Sequence, residues 1–244
     1  MLVTTQSEKF LEMKARFAAY DISLLSDTLR SQGVVQLRGF LPTTLEHVMT
    51  REANELLRSC GRRVNVCVKS TGNTPRKYVS VSRNDVFAHA PLVTQFYSNP
   101  ELIQFLTELT GSDVIRAPYK PEQIVVNQMD EVGDTHGWHW DDYSYSLVVM
   151  LQAPARQSGA QVEYVDGTSW DKKSARVQHY LDTMKVQSFD LVAGSAYLLL
   201  GKRVMHRVTP LLAADTRKII CFTFAKEEER VAEMDHGSME DIYG

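Results

Sequence analysis

Hydrophobic positions divide the chain into two textures. Over residues 7–31, Phe10, Leu11, Met13, Phe17, Ile22, Leu24, Leu25 and Leu29 recur near helical spacing, with a break around Asp21. The stretch GVVQLRGFLP alternates around Val34, Val35 and Leu37 as a short strand ended by Pro42. Residues 43–60 then read as a helix with a threonine cap and Glu46 in its first turn. Residues 63–83 predict two strands around the turn-rich STGNTP, and residues 91–111 a helix closed by Gly111.

After residue 113 the texture changes. QIVVNQM, YSLVVMLQA, AQVEYVD, VQSFDLVAGSAYLLL, HRVTPLL and RKIICFTFA are short, β-branched and aromatic, and Gly, Pro and Asp turns separate them. That alternation predicts a β-sandwich or barrel. A helical insert at about 169–184 interrupts it, and the tail, residues 226–244, begins as an acidic helix whose KEEER run reads as a solvated face. The expected organisation is one domain, mainly β with flanking helices. Residues 1–62 form a helical scaffold and residues 63–225 a jelly-roll core.

Composition narrows the partners. A net charge of −3 over 244 residues gives no basic footprint for nucleic acid, so a small-molecule partner is expected. No window approaches the roughly 20 apolar residues of a membrane span, and the first residues lack the apolar run of a signal peptide. Cys60, Cys67 and Cys221 are odd in number and form no CxxC pair, which predicts reduced thiols and a cytoplasmic setting. Oligomeric state leaves no mark in the sequence.

The chemistry concentrates in HGWHWDDYSYSLVVM, residues 136–150. His139 and Asp141 are two apart, so on a strand their side chains share a face. His206 lies 67 residues downstream in KRVMHRVTPLL, a separation that lets the chain cross a sandwich and return beside the first strand. Two imidazoles and a carboxylate on one face of an octahedron are the ligand set of non-haem iron(II) oxygenases, with three positions left open. Zinc is the competing metal, since two histidines and a carboxylate also serve catalytic zinc. Arg217, eleven residues after His206 and at the start of RKIICFTF, favours iron. Its guanidinium suits the distal carboxylate of 2-oxoglutarate, for which a zinc hydrolase has no use.

With these residues in place, the chain resembles the iron(II)- and 2-oxoglutarate-dependent oxygenases of the double-stranded β-helix fold. Within them it is similar to the branch of bacterial amino-acid hydroxylases and amino-acid halogenases, which carries blocks like TGNTPRKY, PYKPEQIVV and GDTHGWHWDDYSYSL. The similarity runs over about residues 70–225. It implies Fe(II), 2-oxoglutarate and O2 as cofactor and co-substrates and a free amino acid or close derivative as substrate. In the halogenases a glycine replaces the ligand acid and vacates a place for chloride; this chain has Asp141 there, which implies oxygenation. The resemblance also implies that Arg76 holds the substrate carboxylate and that His136 contacts the substrate. By the same likeness Glu122 and Asp142 bind the amines of a lysine-like substrate, and Thr223 lies near its amino-acid end.

Two departures bear on the substrate side chain. Cys221 stands where the lysine-acting relatives have an asparagine, and Tyr243 is the one candidate for their carboxy-terminal aromatic pair. Hydroxylation is the default outcome, with ring closure or desaturation of a modified lysine-like amino acid as the alternative. A non-redox metal- or ligand-binding barrel, or a zinc hydrolase, is the alternative from another class. His47, His89, His179 and His236 read as packed or surface residues, and Trp138, Trp140, Tyr143 and Tyr145 as core or wall.

Overall fold

The computed structural model describes residues 6–232, 235–237 and 242. Two amphipathic helices, α1 (Gln6–Ala18) and α2 (Ile22–Gln32), open the chain, and strand β1 (Val34–Leu37) follows. The Asp21 carboxylate caps α2 by accepting from Leu24 N, which accounts for the break in the pattern there. Next come α3 (Thr43–Cys60), β2 (Arg62–Val68), β3 (Thr74–Val81), α4 (Arg83–His89), α5 (Pro91–Tyr97) and α6 (Pro100–Thr110). The second half holds β4 (Val114–Arg116), β5 (Ile124–Met129), β6 (Thr135–His139), β7 (Tyr145–Gln152) and β8 (Val162–Val165). It closes with α7 (Val177–Thr183), β9 (Gln187–Phe189), β10 (Ala196–Leu200), β11 (Met205–Val208) and β12 (Arg217–Lys226).

All strand pairs are antiparallel, in the order β1-β10-β7-β12-β5-β3-β6-β11-β8-β9, with β2 beside β3 and β4 beside β12. The sheet curls at β3, whose Val79–Val81 end pairs with β5 while Arg76 and Lys77 pair with β6. This is the expected double-stranded β-helix. Strand alternation then sorts its two faces. On β12, Ile220, Phe222 and Phe224 point outward into the helical layer, where Phe96 and Tyr97 meet the Phe222 ring at 5.2 and 5.9 Å. Arg217, Ile219, Cys221 and Thr223 point inward and line a cavity. The helices thus bury one side of the sheet and leave the other for chemistry.

Several local expectations change. The predicted helix over 91–111 is two helices, because Pro100 cannot continue α5 and Asn99 caps α6 by accepting from Glu101 N. A helix at 83–89, capped by Ser82, goes unread in the sequence because it is only seven residues long. The cap position of α3 is Pro42, without a side-chain hydrogen bond, and Thr44 Oγ1 turns to Glu12 instead. In the insert only Val177–Thr183 is helical. The tail starts as a 3-10 turn, Glu227–Val231, in which Glu229 is buried, so KEEER is not a uniformly solvated face. Tyr243 lies outside the described residues. Among those residues no helix is long and apolar enough to cross a membrane.

Candidate metal centre and substrate pocket

His139 and His206 sit directly opposite each other where β6 pairs with β11. Each imidazole Nδ1 faces a backbone carbonyl, that of Gly137 at 2.8 Å and that of Val204 at 3.1 Å. A carbonyl only accepts, so the proton resides on Nδ1 and both Nε2 lone pairs turn inward. Burial, reinforced by His136, His206 and Arg76, holds His139 well below the ordinary histidine range, in the neutral form that a metal takes.

Asp141 arrives differently from the sequence expectation. The strand ends at His139, and Asp141 lies in the loop beyond it, where its N–H donates to the Gly201 carbonyl at 3.1 Å. Close approach requires glycine at 201, since a Cβ there would come within 2.8 Å of Asp141 Cβ. Asp141 Oδ1 is 3.8 Å from both Nε2 atoms, and the three ligand atoms lie within 4.8 Å of one another. Two imidazoles and a carboxylate in this arrangement fit a divalent iron, with one side of the centre facing the cavity.

Arg217, at the first position of β12, is 4% exposed, and its Nε and Nη2 have no partner among the described residues. Burial pulls its pKa down, and the neighbouring Tyr197 hydroxyl works against that. A buried guanidinium with two idle donors is costly unless an anion completes it. The carboxylate of a keto acid fits that fork, and the guanidinium lines the same cavity as the triad.

The other expected residues also converge on this cavity. Arg76, paired across the ladder with His136, is buried with its Nε unpartnered, while Nη1 donates to Thr74 Oγ1 at 3.0 Å and to the Pro75 carbonyl at 3.1 Å. Burial lowers its pKa to about 10. The His136 ring stacks on His139 with centroids 4.0 Å apart and planes at 5°. Cys221 and Thr223 line the wall; burial pushes the Cys221 thiol up, and the Tyr97 hydroxyl fixes the Thr223 carbonyl at 2.7 Å.

Glu122 and Asp142 meet at the mouth. Burial first, and Asp142 second, push Glu122 up to about 9. Sequence reasoning missed their other neighbours. Lys172 Nζ lies 2.5 Å from Asp142 Oδ1. His236 Nδ1 lies 2.6 Å from Glu122 Oε1, with its ring stacked on Tyr119 at 3.9 Å. His236 is thus a packed residue, and it also sits on the Glu122 carboxyl. Ser146 and Tyr197 were missed as well, although both alternate with outward-facing leucines and so face inward.

Solved structures share this fold. The non-haem α-ketoglutarate-dependent epimerase SnoN of nogalamycin biosynthesis superposes with a TM-score of 0.68 at 15% identity, covering 84% of this chain and 80% of its own. A prolyl hydroxylase from Trichoplax adhaerens gives 0.67 at 13% identity over 94% and 99%, and AviO1 from Streptomyces viridochromogenes Tue57 gives 0.67 at 17% over 88% and 97%. At such identities the likeness concerns the fold. No curated protein sequence matches significantly. A curled antiparallel β-helix with His-x-Asp…His at its open end and an idle buried arginine behind defines the class of Fe(II)- and 2-oxoglutarate-dependent oxygenases. Within it the chain belongs to the Halogenase D family, whose model matches residues 17–244.

Proposed function

We propose that the protein hydroxylates an unactivated C–H bond of a free amino acid. The observation that carries the reading is Asp141, a carboxylate beside His139 and His206 at the position where halogenating relatives have glycine. With that ligand place filled, a halide has no vacancy in the protein's own ligand set. His139, Asp141 and His206 would hold Fe(II), and Arg217 would take the distal carboxylate of 2-oxoglutarate. Iron, 2-oxoglutarate and O2 together supply the oxidant that removes hydrogen from carbon.

The chain's own residues set which carbon is presented. Arg76 offers its unpartnered Nε to the substrate carboxylate, and the acids at the mouth favour the ammonium. These two anchors line the same cavity as the triad and would fix the backbone of an amino acid, so its side chain is what reaches the metal. The largely apolar wall of Val125, Val148, Ile219 and Cys221 limits water around it.

The test is succinate formation by the purified protein with Fe(II), 2-oxoglutarate and O2 against a panel of proteinogenic and nonproteinogenic amino acids. One or a few members should stimulate turnover and gain a single oxygen atom by mass spectrometry. Protein that retains iron, responds to no amino acid and shows no uncoupled turnover would refute the proposal.

A further inference from the structure

Lys172 belongs to the segment between β8 and α7, and it reaches Asp142, which lines the cavity. The segment is pinned there by Trp170, whose Nε1 donates to the Ser70 carbonyl at 2.8 Å and whose ring lies parallel to Trp140 at 6.2 Å. From this support the Lys172 ammonium reaches Asp142 Oδ1 at 2.5 Å, packs 4.5 Å from the Trp170 ring centroid and donates to the carbonyl of Asp235. It is 24% exposed, so three kinds of partner and a partial shield from water hold it. One residue ties together the insert, the tail and the acid next to a metal ligand.

The acids among the described residues lining the cavity are Glu122, Asp141 and Asp142. Asp141 faces the two histidines, which leaves two carboxylates for ammonium groups. A lysine-like substrate needs both, one for each amine. Here the protein's own cation already sits on Asp142, and Glu122 has His236 beside it at 2.6 Å. A second substrate amine would therefore meet a carboxylate that the protein's own cation already holds, and an uncompensated charge in a shielded site is strongly disfavoured. Glu122, Asp142 and His236 also lie close enough together for a metal ion, but the ammonium at Asp142 already supplies the cation there.

We propose that Lys172 is a specificity-determining residue: it stands in for a second substrate amine, so that the site selects an α-amino acid with one ammonium and an uncharged side chain. The inference rests on the amino-acid reading above. It agrees with Cys221 in the wall and with the aliphatic Val125, Val148 and Ile219 around it. The device is exclusion by an internal competitor, a form of specificity built against the wrong ligand.

The experiment compares wild type, Lys172→Met and Lys172→Arg, each as the full iron-loaded chain, by amino-acid-dependent succinate formation. The substrates are a panel of uncharged aliphatic amino acids, norleucine included, with lysine and ornithine beside them. Wild type should turn over an uncharged member in preference to either diamino acid. Lys172→Met should raise the relative kcat/KM of lysine or ornithine by about 100-fold, and Lys172→Arg should keep the wild-type ratio. A residue that only latches the insert would lower all substrates alike, and that result would overturn the proposal. So would a wild type that prefers lysine or ornithine. Silence of all three proteins toward every amino acid would fall on the amino-acid reading itself and remove this inference with it.

Discussion

Ser146 donates its hydroxyl to Asp141 Oδ2 at 2.6 Å, which leaves Oδ1 as the oxygen facing both His139 and His206 at 3.8 Å. Asp141 stands in a loop, so this bond from β7 and the contact to Gly201 do the orienting that a strand would otherwise do. Ser146→Ala should therefore weaken metal binding by about 10- to 100-fold while leaving the fold intact. Titration of the protein with Fe(II) or Mn(II) under anaerobic conditions reads this directly. Undiminished affinity would mean that the loop backbone alone suffices.

Arg217 offers a sharper separation of functions. Replacing it by Met removes a buried cation whose Nε and Nη2 have no partner among the described residues, so unfolding should be no easier than in wild type. Affinity for 2-oxoglutarate should fall by at least about 100-fold, the scale of two charge-assisted hydrogen bonds. Metal content should not change. A zinc hydrolase built on the same triad would be indifferent to the substitution, so equal 2-oxoglutarate binding by both proteins would favour that rival.

The metal set was legible in the sequence because its spacing obeys simple geometry. His139 and His206 lie on strands whose pairing places them face to face, and a 67-residue gap matches the path between β6 and β11. Asp141 joins the same cluster from the loop rather than from the strand, since periodicity cannot see that β6 stops at His139. Lys172 and His236 were illegible. Each comes from a segment without strand periodicity, and each reaches the mouth only through tertiary packing, on Trp170 and on Tyr119 respectively. Helix boundaries failed where a single Pro100 or a seven-residue α4 defeats a long window.

Asp141 itself can be tested by what fills its place. Both Asp141→Ala and Asp141→Gly should reduce hydroxylated product to background and lower iron affinity, because two imidazoles remain where three ligands stood. In Asp141→Gly, the substitution that opens the most space, chloride should recover part of the iron affinity, whereas wild type should bind iron equally with and without chloride. Anaerobic iron titrations in chloride and in a non-coordinating salt make the comparison. A chloride effect of equal size in wild type would show that the carboxylate does not occupy the metal's coordination place.

The helical layer gives a pH-dependent prediction. Glu52 on α3 is buried and accepts from the N–H groups of Leu92 and Val93 in the first turn of α5, the helix whose Tyr97 fixes the Thr223 carbonyl. Burial raises its pKa above the ordinary glutamate range, against the two backbone hydrogen bonds that pull it down. A carboxyl whose folded value is raised favours the fold fully at pH below its unfolded value, and that contribution is lost as pH rises through the raised folded value. Glu52→Gln keeps an acceptor for one of the N–H groups and carries no charge. At neutral pH it should match or exceed wild type in stability, with the difference closing as pH falls toward the carboxyl range. Glu52→Ala leaves both N–H groups without their acceptor and should cost about 1–3 kcal/mol at mildly acidic pH, and less at neutral pH. Urea unfolding of the three proteins at neutral and mildly acidic pH measures both effects, and a Glu52→Gln protein that loses as much stability as Glu52→Ala would show that the negative charge at the head of α5 outweighs its burial.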